Sequence, residues 1–284
     1  MPLEFETADV FTTTRFGGNP LALVHGAEAL DDATLQAIAR EFNLSETVFA
    51  FAPREAGQDA FLRIFTPFGE LPFAGHPNVG AAALLARRLG REGVLRLGQA
   101  AGVVVAEVSG SEAEIEAPKP LALGNALDPE AVAACAGLSV GALHLNLHVP
   151  LVAGCGTPFA LAEVEDAALL SSAMPDVAAF RRVLPEVVGL LLHTPLGIGR
   201  RRARMFAPLA GIAEDPATGS ANCALAGLLL EVNGGSALAL EVEQGIEMHR
   251  PSQLRLAARR EDDGRIRVRV GGGVVPVGRG VLDL

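Results

Sequence analysis

His76 and Asp215 have the clearest chemical potential in this chain, because each stands in one of two copies of a single phrase. The first copy reads Arg63-Ile64-Phe65-Thr66-Pro67, then Gly75-His76-Pro77-Asn78-Val79-Gly80-Ala81-Ala82. The second reads Arg204-Met205-Phe206-Ala207-Pro208, then Glu214-Asp215-Pro216-Ala217-Thr218-Gly219-Ser220-Ala221. Both have the form R-x-F-x-P, a short loop, then [H/D]-P-x-x-G-[A/S]-A, which makes His76 and Asp215 equivalent. An apolar run follows each, Ala81 to Ala86 and Cys223 to Leu230. A helix that is apolar all round is buried, yet its first N–H groups still need acceptors and form a ready anion site. Two such helix starts could hold a carboxylate between them. The plainer alternative makes Asp215 an N-cap with Pro216 at N1, and His76 a turn residue before Pro77. Two copies, each with a glycine where backbone must come close, favour a site.

Glu46 is the candidate for proton transfer. It precedes a strand carrying Phe49 and Phe51 on one face. A carboxyl in an apolar cleft has its pKa raised and can exchange protons near neutral pH. On the residues alone, an exposed helix-end glutamate is the favoured reading. His144, Asn146 and His148 would share one strand face, but no third histidine or carboxylate is convergent nearby in the chain, so no metal is expected. His193 and His249 are read as structural. No GxGxxG at a strand–helix turn and no Walker sequence is present, so no nucleotide cofactor is expected.

These residues need elements to hold them. Self-similarity at half the chain length predicts two lobes built alike, each about 140 residues, a common domain size. Pro118 and Pro120 mark the boundary, giving lobes 1–120 and 121–284, with the last strand near 276–284 able to rejoin the first lobe. Strands are expected at 5–11, 20–24, 47–51, 60–66, 103–108 and 113–116. Leu35, Ile38, Ala39 and Phe42 give a helix one apolar face; that helix opens at Asp31-Asp32 and ends at Leu44-Ser45-Glu46. A further helix follows Gly80. In the second lobe a short helix is expected at 129–135, strands around 144–152, 159–164, 187–193 and 202–206, and a helix ending near Val232. A strand-rich tail completes the chain.

Composition sets the class. The chain of 284 residues is 50% hydrophobic and 20% charged, enough for an ample core, and its net charge of −10 argues against a nucleic-acid partner. The basic run Arg200-Arg201-Arg202-Ala203-Arg204 reads as a strand end with a solvated face. The first residues lack a signal-peptide pattern, and no apolar run reaches the ~20 residues of a membrane helix. Cys135, Cys155 and Cys223 are widely spaced and without CxxC pairing, which indicates a reducing compartment. A cytoplasmic location is expected, and the cysteines read as small packing residues.

Phe16-Gly17-Gly18-Asn19-Pro20, Asn43-Leu44-Ser45-Glu46-Thr47, Gly75-His76-Pro77-Asn78-Val79-Gly80 and Glu214 to Ala221 resemble, in order, the signature blocks of the PhzF-like phenazine-biosynthesis family. Gln244-Gly245, Arg250-Pro251-Ser252 and Gly271-Gly272-Gly273 fit its tail. The resemblance spans nearly the whole chain. It implies an α/β (α+β) fold of the diaminopimelate-epimerase type: two pseudo-symmetric lobes, each a curved, mostly antiparallel sheet wrapped around a central helix. It implies an isomerase that needs no cofactor and moves a proton on a small, cyclic carboxylate, such as trans-2,3-dihydro-3-hydroxyanthranilate. It makes Glu46 the acid/base, with His76 and Asp215 beside it. Asn19, Ser45, Gly75, Asn78, Thr218, Gly219 and Ser220 become the substrate contacts, Asn78 standing where many members carry Thr. A homodimer is expected on the same ground. Epimerases of this fold use one cysteine per lobe, and no thiol stands at either helix mouth here. An epimerase or racemase of a small amino or hydroxy acid, and a metabolite-binding protein without turnover, are the alternative readings.

Overall fold

The computed structural model describes residues 2–284, which fall into two compact units. One comprises the chain up to Glu116 together with Gly271–Leu284, the other Ala117–Val270. The first holds β1 (Leu3–Val10), β2 (Asn19–His25), α1 (Asp32–Phe42), β3 (Glu46–Phe51), β4 (Ala60–Phe65), the two-residue β5 (Glu70–Leu71), α2 (Gly75–Leu89), β6 (Gly93–Gln99), β7 (Gly102–Ser109) and β8 (Glu112–Glu116). The second holds β9 (Ala122–Ala126), α3 (Pro129–Cys135), β10 (Leu151–Gly154), β11 (Pro158–Glu163), α4 (Ala167–Ser172), α5 (Val177–Val183), β12 (Leu190–Gly197), β13 (Arg200–Ala207), β14 (Ile212–Asp215), α6 (Gly219–Asn233), β15 (Ala237–Gln244) and β16 (Ser252–Arg260). The last strand, β17 (Ile266–Leu282), begins in the second unit and ends in the first.

The two units repeat one pattern of pairing. In the first, β1–β2 is antiparallel, β2–β3 parallel, β3–β4 antiparallel, β4–β6 parallel and β6–β7 antiparallel. In the second, β10–β11 is antiparallel, β11–β12 parallel, β12–β13 antiparallel, β13–β15 parallel and β15–β16 antiparallel. β5 and β14 each turn back antiparallel on the strand before them. This is the mixed α/β architecture that the repeated phrase implies.

Each unit wraps its sheet around one helix. α2 packs against β1, β2, β3, β6, β7 and β8, and its residues from Gly75 to Ala86 are all buried. The approach is close at Gly80, where an added Cβ would lie 2.5 Å from Leu21 and 2.7 Å from Val10. α6 packs against β10, β11, β15 and β16. The strands alternate as half-buried strands do: in β7, Val104, Ala106 and Val108 point inward while Val103, Val105 and Glu107 point out. A further core in the second unit joins α3, α4 and α5 to the sheet through Val132, Leu170, Phe180, Leu190 and Phe206. No helix among the described residues is long and apolar enough to cross a membrane.

The structure moves several boundaries. α1 ends at Phe42, where Asn43 takes the left-handed conformation at φ 50; Glu46 is the first residue of β3, not the end of a helix. α2 starts at Gly75 rather than after Gly80, so His76 and Pro77 lie in its first turn. A proline is tolerated there because the first N–H groups of a helix have no partner inside it. Residues 144–150 form no strand; β10 starts only at Leu151. The strand β6 and the short helices α4 and α5 have no counterpart in the sequence reading.

Candidate functional site

The R-x-F part of the repeated phrase makes the same contact in both units. Arg63 Nε and Nη2 donate to both carboxylate oxygens of Glu70, at 2.7 and 2.5 Å. Arg204 Nε and Nη2 donate to both oxygens of Glu214, at 2.9 and 2.8 Å. Each guanidinium also lies over the phenylalanine two residues on, 5.0 Å from the Phe65 ring and 4.8 Å from that of Phe206, since residues i and i+2 share a strand face. Arg204 is not the solvated strand end expected of it. It is 5% exposed, and its Nη1 donates to the carbonyls of Leu170, Ser171 and Ala173 at 2.9 to 3.1 Å. Both arginines thereby tie down the segment that leads into the central helix of their unit.

In the first unit that segment delivers His76. The residue before α2, Ala74, has no side chain able to cap it, so the helix start is uncapped from its own side. His76 Nδ1 lies 3.5 Å from Glu46 Oε2, with both side chains largely buried, at 5% and 15% exposure. Burial pushes the His76 imidazolium down to about 3, against a smaller opposing effect of the Pro20 backbone. The imidazole is therefore neutral at physiological pH. It presents Glu46 with a hydrogen-bonding group of no net charge, and its Nε2 has no hydrogen-bond partner among the described residues. Asn19 begins β2, next to Pro20, and is fully buried. Ser45 directly precedes β3 and is half-buried; Gly75 opens α2.

Asn78 is committed to the fold. Its Nδ2 donates to the Ala74 carbonyl at 2.8 Å and to Gln99 Oε1 at 3.2 Å, and Gln99 Nε2 donates back to Asn78 Oδ1 at 2.8 Å. A side chain with those bonds made inside a buried pair has little left for a substrate.

In the second unit Asp215 ends β14, and the N-cap of α6 is Thr218. Asp215 is therefore not the helix cap. Its carboxylate accepts from Thr218 Oγ1 at 2.5 Å. Gln244 Nε2 donates to the Asp215 carbonyl at 2.7 Å and to Thr218 Oγ1 at 3.2 Å. Asn222 Nδ2 donates to the Thr218 carbonyl at 2.9 Å and to Gln244 Oε1 at 2.8 Å. Gly219 and Ser220 are the first two residues of α6.

These bonds reset the register of the repeat. Asn78 and Asn222 each bond the carbonyl of their own N-cap and a glutamine on a following strand. Counted from the caps, Gly75 matches Gly219, His76 matches Ser220, and Cys223 matches Val79. Asp215 enters from the strand before the helix, so His76 and Asp215 are not equivalent positions. Gln99 escaped the sequence reading, and Gln244 entered it only as part of a family block, without this role. Their signal was present as an Asn followed by a Gln at 21 residues in one half and 22 in the other.

None of the three thiols is poised for chemistry. Burial pushes Cys135 up to about 11 and Cys155 up to about 12, and raises Cys223 well above the ordinary thiol range. A separate cluster in the second unit, His148, Glu163 and His193, has the composition of a metal-binding set.

The model of the phenazine biosynthesis-like family (PhzC-PhzF) matches residues 8–280. A trans-2,3-dihydro-3-hydroxyanthranilate isomerase of Pseudomonas chlororaphis is 35% identical over 97% of this chain and 98% of its own. The crystal structure of a PhzF-family phenazine biosynthesis protein of Bacillus anthracis is similar at a TM-score of 0.90 over the whole of both chains, with 22% identity. A hydroxyproline epimerase of Agrobacterium vitis shares the fold at a TM-score of 0.68, with 13% identity over 99% of this chain and 91% of that one. The chain belongs to the phenazine biosynthesis-like family and is one of its isomerases. Its fold is the mixed α/β fold that this family shares with epimerases of the diaminopimelate type.

Proposed function

We propose that the chain shifts a proton between two carbons of a small, cyclic carboxylate, without a cofactor, and that Glu46 carries the proton. The observation that supports this is the Glu46–His76 pair: a carboxyl and a neutral imidazole 3.5 Å apart, largely out of solvent. The Glu46 carboxylate takes a proton from one ring carbon, and the electron pair of the broken C–H bond passes into the adjoining π system. The protonated carboxyl then returns that proton to a second carbon on the same ring face, so atoms and charge balance. His76 hydrogen-bonds a polar group of the substrate without adding charge. Asp215, held by Thr218 and Gln244, orients a second polar group. The N–H at Gly75, at a helix start that Ala74 does not cap, is suited to a carboxylate, with Asn19 and Ser45 as further contacts.

The relative from Pseudomonas chlororaphis makes trans-2,3-dihydro-3-hydroxyanthranilate the first compound to try. An epimerase with one thiol per lobe finds no support: the helix caps are Ala74 and Thr218, and each cysteine is held as the neutral thiol. Incubation of the protein with that compound in D2O, followed by NMR, tests the proposal. A shifted double bond with deuterium or proton transferred to the second ring carbon is the expected result. An unchanged compound would remove this substrate, and inversion at a single carbon would replace isomerisation by epimerisation. A homodimer is proposed on the family resemblance, and light scattering at micromolar concentration reads it directly.

A further inference from the structure

His148, Glu163 and His193 come together inside the second unit, and the proton chemistry proposed above uses none of them. Glu163 and His193 are register partners across the parallel pair β11–β12, so their side chains leave the same face of the sheet. His148 arrives from the irregular segment before β10. His148, Glu163 and His193 are 8%, 5% and 0% exposed, and their ligand atoms all lie within 4.8 Å of one another. His148 Nε2 is 3.1 Å from His193 Nε2.

The bonding around the cluster is unfinished. His148 Nδ1 lies 2.9 Å from the Val149 carbonyl. A carbonyl only accepts, so the proton sits on Nδ1 and Nε2 carries a lone pair. That is the ligating tautomer, with its outer N–H bonded to a carbonyl as in metal-bound histidines. Glu163 Oε2 and His193 Nδ1 are buried with no hydrogen-bond partner among the described residues. The other Glu163 oxygen reaches Arg201 Nη1 only at 3.7 Å. A direct hydrogen bond from one imidazole to the other would account for the two Nε2 atoms and leave that carboxylate oxygen unsatisfied, a costly state for a buried anion. A cation satisfies the carboxylate and both lone pairs together. Two imidazole nitrogens about 2.0–2.1 Å from a tetrahedral zinc stand about 3.3 Å apart, close to the separation seen here.

We propose that His148 Nε2, His193 Nε2 and the Glu163 carboxylate bind one Zn2+, the fourth tetrahedral position taken by water. Two borderline imidazole nitrogens with one carboxylate oxygen make a donor set that suits zinc over calcium or magnesium, which take oxygen ligands. The ion would pin the segment carrying His148 to β11 and β12, a structural role separate from Glu46.

The test uses the full chain, stripped with a chelator and dialysed. Zn2+ is titrated in competition with a chromophoric chelator, and Co2+ replaces it to report coordination through its visible absorption. The wild type should bind one equivalent, with a tetrahedral Co2+ spectrum and a raised melting temperature. His148→Ala and Glu163→Gln sit at the edge of the cluster and avoid emptying the fully buried His193 position. Each should weaken binding by about 100-fold or more, given that loss of an outer-shell partner alone costs 10–100-fold, with an unchanged circular-dichroism spectrum. No stoichiometric binding by the wild type would overturn the proposal. So would equal affinity in both folded variants, since the ion would then be held elsewhere. If either variant fails to fold, the Co2+ spectrum of the wild type decides alone: octahedral absorption would overturn the site.

Discussion

Asn78 and Gln99 exchange hydrogen bonds amide to amide, 3.2 Å one way and 2.8 Å the other, between the first turn of α2 and the end of β6. Asn222 Nδ2 likewise donates to Gln244 Oε1 at 2.8 Å and ties α6 to β15, but Gln244 Nε2 turns to the Asp215 carbonyl and Thr218 Oγ1 instead of returning the bond. Both pairs are buried, so each amide depends on the other for the bonds that water would have made. The pair fixes where the helix starts, and with it the position of the neighbouring His76.

Removing one partner should therefore cost more than removing a surface bond. Gln99→Leu keeps the approximate shape but leaves the Asn78 amide half-satisfied, and should destabilise the fold by about 1–3 kcal/mol. Urea unfolding reads this as a lower midpoint at unchanged slope. An unaltered midpoint would mean that the two amides do not hold the helix start.

The Arg204 cluster makes a larger claim. Its guanidinium binds Glu214 through both oxygens and three carbonyls at the end of α4. Arg204→Ala leaves a half-buried carboxylate and three carbonyls without the guanidinium, and a loss of about 3 kcal/mol is expected. Arg204→Lys should recover only part of it, because an ammonium cannot reproduce the planar fork. Full recovery by lysine would show that only the charge matters.

His76 should impose a pH dependence on stability. Its pKa in the folded protein is about 3, below the 6.5 of the free side chain, because burial disfavours the imidazolium. Between these values the unfolded chain binds a proton that the folded chain does not. The contribution is present in full above pH 6.5 and is lost as pH falls toward 3, by up to about 1.4 kcal/mol per pH unit. His148 and His193 are shifted in the same direction, so the comparison is wild type against His76→Asn. The difference in unfolding free energy between the two should change with pH across that window. A constant difference would mean that His76 titrates normally in the fold.

Glu46 carries the mechanism. Glu46→Gln preserves the size of the side chain beside His76 and removes the base. Turnover should fall by roughly 10²–10⁴-fold, the usual scale of general acid–base catalysis, with ligand binding and melting temperature near those of the wild type. Near-normal turnover in a folded Glu46→Gln protein would transfer the role to another group. His76→Ala and Asp215→Ala should weaken binding as well as rate, since both are assigned to polar groups of the substrate.

Much of this protein is legible in its sequence, for a definite reason. The repeated R-x-F-x-P phrase and the two apolar helices are short-range patterns, set by strand alternation and by the burial of a helix with no polar face. They announce two units built alike, and the ordered blocks announce the family. The Asp31 cap of α1, accepting from the Thr34 N–H at 2.9 Å, is legible in the same way. Tertiary structure decided what depends on partners distant in the chain. Whether Glu46 ends a helix or opens a strand turned on its parallel pairing with Leu21. Whether Asn78 faces a ligand or the fold turned on Gln99, and the state of His76 on how completely α2 is enclosed. His148 shows the limit most clearly. The sequence offered His144 as its companion and no third ligand nearby, while the fold pairs His144 with Glu165 and brings His148 against His193, 45 residues away, and Glu163. Chain spacing specifies only neighbours on one element; the register of β11 against β12 creates the others.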